Sequence, residues 1–399
     1  MQLVVHARKL YTPVGNKVKK GSQMSQIERY ENVFICVEDG RIVDLSDRRP
    51  SIIRGRFLQV DLVVPGFVDC HTHIPFYGYR ESDFLRRVSG LSYSQIHNSG
   101  GGIYESVRRL RKASISELVR FNLNFTNSFI SKGVTTIECK TGYGLDEENE
   151  LKQLEVLNVL KKISPIEIVA TFMGAHAVPE NSNPQDYVEY LTKMFDLLKT
   201  KCSFVDIFCD VGVFDKHSAE RYLRAAKKKG FKVRIHANEL SNIGAVKLAV
   251  ELEAVSADHL LKVDDEDIRV LAQSNTIAVL MPTTSFYLNE NYAPARELID
   301  KGVAVALASD FNPGSSPVLE PTLMMNIAVK FLKMSPCEIL TACTLNSACV
   351  LGLADRLGTV EIGKDADFVI YEDADLETIM YFVGITPRYT VKRGQIFEN

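Results

Sequence analysis

The chain has 399 residues, of which 46% are apolar and 24% are charged, a composition typical of globular proteins. Its net charge of −3 gives no reason to expect nucleic acid or an anionic membrane as a partner. The eight cysteines are scattered, unlike those of a disulfide scaffold, and we find neither a signal peptide nor an apolar run of about 18 residues. These features predict a cytoplasmic protein with reduced thiols.

The chain begins with short alternating strands over residues 1–60, with a turn in EDGRIVDL. Eight apolar, β-branched runs follow, and helix-like segments such as 147–162, 184–200 and 215–229 separate them. Strands buried on both faces that alternate with helices predict a parallel (β/α)₈ barrel of the TIM type. The eight runs are residues 63–70, 134–140, 166–174, 204–209, 231–237, 254–259, 276–281 and 303–310.

Residues 357–373, like the N-terminal segment, show the pattern of short alternating strands, with Gly358, Gly363 and Asp365 as turn residues. We therefore expect both chain ends to form one small β-sandwich-like domain beside the barrel. The expected division is 1–62 and 357–399 for the small domain and 63–356 for the barrel.

Five residues of metal-ligand type fall at predicted strand ends, which meet at one mouth of such a barrel. His71 and His73, in PGFVDCHTHIPF, point to the same side of an extended chain. A single strand-end histidine more often completes a hydrogen bond, but several on different strands favour a site for zinc or iron(II). The candidates are His71, His73, His236, His259 and Asp310.

We divide these residues between binding and chemistry. Three histidines and Asp310 already fill a site, so His259 is better suited to polarising a substrate oxygen, although the two roles could be reversed. Glu239 in HANEL is placed for proton transfer, or it is simply a carboxylate at the start of a helix. A carbamylated Lys140 would need two metals and a place on strand 4, which ends instead in Cys209-Asp210. One divalent metal per chain is expected.

Other strand-end loops carry polar groups that suit a small anionic substrate, since arginine with tyrosine and histidine can bind a carboxylate. Each has a simpler alternative: Arg80 could pair with Glu81 or Asp83, and Tyr143 could merely pack. SGGGI at 99–103 lacks the Lys-Ser/Thr of a phosphate loop, so a flexible active-site loop is favoured over nucleotide binding. The expected substrate contacts are Arg80, Tyr143, His176, Asn312, Gly314 and Ser315.

PGFVDCHTH, HANEL and ASDFNPG resemble the amidohydrolase superfamily. GYRESDF, SGGGI, KTGYGL, MGAHAVP, DIFCDVGVF, NYAPARELIDKGVAVALASDFNPGSSP and TLNSACVLGL are similar to the imidazolonepropionase family over about residues 30–395. This resemblance implies hydrolysis of 4-imidazolone-5-propanoate to N-formimino-L-glutamate, the third step of histidine degradation. It implies zinc or iron bound by His71, His73, His236 and Asp310.

The resemblance also gives catalytic roles to Glu239, His259 and Asp310 and substrate contacts to Glu239 and the six residues named above. Cys70, His97, Asn238 and Ser315 depart from the family's usual residues, but none of them removes a ligand. The partners expected are a small anionic heterocycle and a second copy of the chain in a homodimer. Two alternatives remain: a related deaminase acting on a purine, pyrimidine or triazine, and a metal-binding or structural barrel without catalysis.

Overall fold

The computed structural model describes residues 2–91 and 101–399, and within them it forms two sheets. One is an eight-stranded parallel barrel and the other is a seven-stranded sheet built from both chain ends. The strands β1–β15 are Leu3–Thr12, Glu28–Glu38, Arg41–Ser46, Arg56–Pro65, Phe67–Asp69, Val134–Lys140, Glu167–Ala175, Phe204–Cys209, Lys232–Ala237, Ser256–His259, Ile277–Leu280, Val305–Leu307, Phe368–Tyr371, Tyr389–Lys392 and Gln395–Glu398.

Helices surround the barrel strands and connect them in chain order. The described helices, numbered α1–α14, are Glu81–Val88, Ile103–Lys112, Ile115–Ser131, Glu147–Ile163, Pro184–Leu198, Lys216–Lys228, Ala245–Glu251, Asp265–Ala272, Pro282–Leu288, Ala295–Asp300, Pro321–Lys330, Pro336–Thr341, Ser347–Leu351 and Leu376–Tyr381. Short 3₁₀ and π turns cover Gly21–Ser25 and Ala342–Asn346. No helix in this part of the chain has the length and apolarity needed to cross a bilayer.

The barrel strands run in chain order from β5 to β12, and their side chains explain the arrangement. Every residue of β6, VTTIECK, is buried, as expected for a parallel strand covered on both faces. The barrel closes between its first and last strands, where Thr72 bridges Phe311 and the His73 N–H donates to the Phe311 carbonyl at 2.9 Å. The predicted (β/α)₈ barrel is confirmed, as are the predicted helices, which end within two residues of the expected positions.

The second sheet has the order β15-β14-β13-β4-β1-β2-β3. β4 is parallel to β1, while β13 near the C-terminus pairs antiparallel with β4, so that Ile370 lies opposite Val63. Inward side chains from β1, β2, β4, β13 and β14 form one separate apolar core. This joint core confirms the small β domain built from both ends of the chain.

The single strand predicted over residues 63–70 is wrong, because two strands of different sheets share this run. β4 ends at Pro65 and β5 begins at Phe67. Gly66 joins them where a Cβ atom would lie 2.4 Å from Thr135 Oγ1, so the chain passes close over β6 as it changes sheets. The apolar pattern indicates that these residues are buried, but it does not show to which sheet each strand belongs. The expected boundary at 62/63 falls inside β4, and the domain division remains a prediction.

Candidate active site

The first barrel strand leads directly into His71 and His73, whose imidazoles meet at the mouth of the barrel. Their Nε2 atoms are 3.3 Å apart. Asp310, which follows β12, brings Oδ1 to 3.2 Å from His73 Nε2 and 3.5 Å from His71 Nε2. These three side chains are buried, and their ligand atoms lie within 4.8 Å of one another.

His236 at the end of β9 joins the same group. Its ring centroid lies 4.6 Å from that of His71, and ligand atoms of His71, His236 and His259 also lie within 4.8 Å of one another. His236 Nε2 is buried and makes no hydrogen bond within residues 2–91 and 101–399. This buried nitrogen without a partner, together with two further imidazoles and a carboxylate, forms a donor set of the kind that binds a divalent transition metal.

Asp310 is held so that one oxygen is left for the site. Oδ2 accepts a hydrogen bond from Thr284 Oγ1 at 2.8 Å, whereas Oδ1 makes no hydrogen bond to a described residue. Asp310 and His259 both have positive φ angles, of 52° and 80°. Strain of this kind is concentrated at functional sites, where the surrounding structure imposes it.

Burial controls the protonation of the histidines. It is the main cause that lowers the pKa of His71, His73 and His176 well below the ordinary value, with neighbouring cationic groups adding to the effect. Burial likewise lowers the pKa of His259 to about 3. Neutral imidazoles at physiological pH are the form that binds metals.

Glu239 lies beside His259 just beyond the strand ends. Its Oε2 is 3.5 Å from His259 Nε2. Burial raises the pKa of the Glu239 carboxyl well above its usual range, and the charges of Asp310, Asp210 and Glu290 raise it further. A carboxyl group with a raised pKa is suited to accepting a proton and passing it on near neutral pH.

The predicted metal and substrate residues other than the fully buried His71 line one cavity of about 680 Å³. Arg80 lies in its wall, where Nε donates to Asp83 Oδ2 at 3.0 Å. Asp83 Oδ2 also accepts the Gly102 N–H at 2.9 Å, so the pairing that was the simpler alternative is present and fixes Arg80 in the cavity. A Cβ atom on residue 314 would lie 2.2 Å from Arg80 Nη1, which explains the need for Gly314.

Tyr143 and His176 form a neighbouring part of the wall. Their ring centroids are 5.3 Å apart, and His176 stacks on His73 at 4.7 Å. His176 Nδ1 donates to the Gly142 carbonyl at 3.2 Å when that nitrogen carries the proton. His176 therefore connects the substrate wall with a predicted metal ligand.

Asn312 and Ser315 line the cavity, but the Asn312 side chain is used within its own loop. Asn312 Oδ1 accepts the N–H groups of Gly314 and Ser315 at 2.8 Å each, and Nδ2 donates to Ser315 Oγ at 2.8 Å. Asn312 thus shapes the loop that faces the substrate. His97, Ser99 and Gly100 lie outside the described residues, so the expectations for His97 and for the SGGGI loop are not addressed by the structure.

The model of the amidohydrolase family matches residues 62–396. An imidazolonepropionase of Caldanaerobacter subterraneus is 42% identical over 400 residues, covering 98% of this chain and 96% of that protein. An imidazolonepropionase of Kosmotoga olearia is also 42% identical, covering 98% and 97%. The chain belongs to the imidazolonepropionase group of the amidohydrolase family. It is therefore a hydrolase.

Solved structures of more distant proteins share the fold of this amidohydrolase. The guanine deaminase of E. coli superposes with a TM-score of 0.75 at 16% identity over 99% of each chain. An adenosine deaminase of Xanthomonas campestris with bound zinc gives a TM-score of 0.72 at 17% identity, covering 99% of this chain and 92% of that one. At this level of identity, the likeness concerns the barrel and not the substrate.

Sequence reasoning missed several residues of this amidohydrolase's site. Arg87, Tyr104, Phe208 and Glu290 also line the cavity. Below it, Asp258 Oδ2 lies 2.7 Å from His71 Nδ1, and Asp206 Oδ1 lies 3.2 Å from His236 Nδ1. Arg234, which donates to Asp258, was missed as well. Strand alternation could have indicated it, because Arg234 precedes His236 by two positions and therefore faces the same side of β9.

Proposed function

We infer that this chain hydrolyses the cyclic amide bond of 4-imidazolone-5-propanoate to N-formimino-L-glutamate, the third step of histidine degradation. The observation that carries this inference is one cavity that combines a cluster of metal-ligand side chains with the guanidinium of Arg80. The near full-length similarity to imidazolonepropionases supports the same substrate.

His71, His73, His236 and Asp310 would hold one divalent ion per chain, zinc or iron. When bound, such an ion supplies a Lewis acid that lowers the pKa of water and polarises a carbonyl group. The free atoms His236 Nε2 and Asp310 Oδ1 support this ligand set. The Nε2 atoms of His71 and His73 lie 3.3 Å apart with a carboxylate beside them. This arrangement suits coordination of a divalent metal ion better than a hydrogen bond between the two imidazoles.

Glu239 is the proton carrier of the reaction. Its carboxylate takes a proton from the attacking water and delivers it to the ring nitrogen that leaves, while Asp310 assists in moving the protons of the water. His259, 3.5 Å from Glu239, stabilises the negative charge that develops on the carbonyl oxygen attached to the ring. The burial of these side chains supports these roles, because the exclusion of water from the cavity wall strengthens each electrostatic contact.

Arg80 binds the propanoate carboxylate, with Tyr143, His176, Asn312, Gly314 and Ser315 completing the wall around it. Asp83 holds the guanidinium in place and Gly314 leaves room for it, which supports a two-point contact that a flexible ammonium group cannot make. A deaminase acting on a neutral purine, pyrimidine or triazine would have no use for such a contact.

We also place the protein in the cytoplasm, as its eight free cysteines support. The homodimer, and the absence of nucleic acid and membrane partners, stay predictions.

The experiment compares imidazolone propanoate with a tail-less imidazolone in wild-type protein and in Arg80→Ala, while bound metal is measured on the same samples. Arg80→Lys keeps the charge but not the two-point geometry, so it should also weaken binding. Loss of the charge-assisted contact should cost about 1.5–3 kcal/mol, which is about ten- to a hundredfold in kcat/KM for the natural substrate only. Equal losses with both compounds would show that Arg80 does not bind the carboxylate. Turnover of a neutral amino-heterocycle instead would favour the deaminase.

A further inference from the structure

Five charged side chains lie completely buried inside the barrel, beneath the predicted metal ligands. They are three carboxylates and two cations from neighbouring strands: Glu138, Lys140, Asp206, Arg234 and Asp258. We propose that Lys140 and Arg234 are positioning residues of the metal centre, each holding the carboxylate that orients one metal-binding histidine. This inference rests on the metal centre of the proposed function.

Lys140 acts on His236 through Asp206. Lys140 Nζ lies 2.9 Å from Asp206 Oδ2, and the other oxygen, Asp206 Oδ1, lies 3.2 Å from His236 Nδ1. The carboxylate therefore accepts a hydrogen bond from the Nδ1–H of His236, which leaves the Nε2 lone pair directed at the site. Such outer partners fix both the tautomer and the ring orientation of a metal-binding histidine.

Arg234 acts on His71 through Asp258 in the same manner. Asp258 Oδ2 lies 2.7 Å from Arg234 Nη2 and 2.7 Å from His71 Nδ1. Arg234 is itself fixed, since Nε donates to Ser256 Oγ at 2.9 Å and Nη1 donates to the Cys70 carbonyl at 2.8 Å. Its guanidinium thus ties β9, β10 and the segment before His71 together.

Glu138 joins the two paths. Its Oε1 lies 2.7 Å from Lys140 Nζ and 3.2 Å from Arg234 Nη1. A buried carboxylate without a cation beside it is strongly unfavourable, so Lys140 and Arg234 stabilise Asp206 and Asp258 in their positions behind the histidines. His73, the third histidine, differs: its Nδ1 makes no hydrogen bond to any residue that the structure describes.

The carboxylates could instead be metal ligands, because ligand atoms of Asp206, His236 and Asp258 lie within 4.8 Å of one another. One oxygen of each, however, lies against a cation: Asp206 Oδ2 is 2.9 Å from Lys140 Nζ, and Asp258 Oδ2 is 2.7 Å from Arg234 Nη2. A second metal ion there would be repelled by these two buried positive charges. The geometry therefore assigns these carboxylates to orientation rather than to ligation.

The test uses zinc-loaded, full-length protein and Lys140→Met, which keeps much of the side-chain volume and removes the charge. Lys392→Met is the matched control, because Lys392 forms a buried pair with Asp367 at 2.6 Å in the small sheet. Zinc affinity is measured by competition with a coloured chelator, and the visible spectrum of the cobalt-substituted protein reports the ligand geometry. Lys140→Gln replaces the Met variant if the latter does not accumulate as folded protein.

We expect Lys140→Met to bind zinc about tenfold or more weakly than wild type and to show an altered cobalt spectrum, while Lys392→Met matches wild type in both. A Lys140 variant with wild-type affinity and spectrum would overturn the inference. So would equal losses in both lysine variants, which would indicate general destabilisation. A wild-type protein that binds no zinc would overturn the proposed metal centre together with this inference.

Discussion

The carboxyl group of Glu239 lies 3.5 Å from His259 and is not among the predicted metal ligands, so binding and proton transfer can be separated. Glu239→Gln should keep its metal but lose about a hundredfold or more in turnover, because an amide cannot carry the proton. Metal content and kcat measured on one preparation check this. His71→Ala is the comparison and should lose both metal and activity. A Glu239→Gln protein without metal, or one with near-normal turnover, would contradict the assignment.

Residue types and strand ends made much of the site predictable from the sequence. His71, His73, His236, Glu239, His259 and Asp310 all line or adjoin one barrel mouth, as predicted. What the sequence hid were partners across strands: Asp258 is 187 positions from the histidine that it contacts. The use of the Asn312 amide within its own loop was also hidden, because a side chain able to reach substrate can equally bind its own backbone.

At the scale of elements, the end of β8 controls the loop that follows β9. Asp210 accepts the backbone N–H groups of Glu239, Leu240 and Ser241 at 2.8–3.0 Å and the Ser241 hydroxyl at 2.6 Å. One buried side chain on a neighbouring strand therefore fixes the position from which Glu239 enters the cavity.

Asp210→Asn should lower kcat by about ten- to a hundredfold while metal content stays at the wild-type level. The new side-chain amide would point its own N–H donors at the backbone N–H groups of the loop, which would displace Glu239. Even a small displacement of a catalytic group lowers the rate strongly. Kinetics and metal analysis on the same sample check this. Asp215→Asn is the control, because Asp215 also accepts a backbone N–H, from Ser218 at 2.7 Å, but at the start of α6. If Asp210→Asn retains wild-type kcat, the loop does not depend on this contact.

Alternating apolar runs and helical segments were enough to predict eight barrel strands in order, because each parallel strand is buried on both faces. They could not show that residues 63–70 belong to two sheets, since the Val-Val-Pro-Gly-Phe-Val run is buried throughout. The change of sheet at Gly66 depends on Thr135, almost seventy residues away.

For the whole molecule, four histidines of the site whose pKa is lowered predict acid sensitivity once the metal is removed. The folded-state pKa values of His71, His73, His176 and His259 lie below the ordinary value, that of His259 at about 3, whereas an unfolded histidine titrates near 6.5. Between these values the unfolded chain binds more protons. The contribution to stability is thus complete above about pH 6.5 and is lost as the pH falls towards 3.

Each such histidine should accordingly contribute a fall of up to about 1.4 kcal/mol per pH unit to the free energy of unfolding of the metal-free protein, while raised carboxyl pKa values such as that of Glu239 act in the opposite direction. Urea unfolding at about pH 7.5, 6.5 and 5.5 measures this slope. His259→Gln should flatten the slope by one such increment, whereas His217→Gln, at an exposed position, should leave it unchanged. The same slope in wild type and in His259→Gln would contradict the neutral, buried state of His259.

The pairing of β4 with β13 affects how the protein is made. All the predicted metal ligands lie between residues 71 and 310. The ribosome has therefore synthesised every one of them before it reaches Phe368, where β13 begins. During that interval one edge of β4 has no partner, and an open strand edge on a nascent chain invites pairing with other chains. The final thirty-odd residues close this edge. A stalled or truncated product that already carries a complete barrel would therefore be the form most prone to aggregate in a cell.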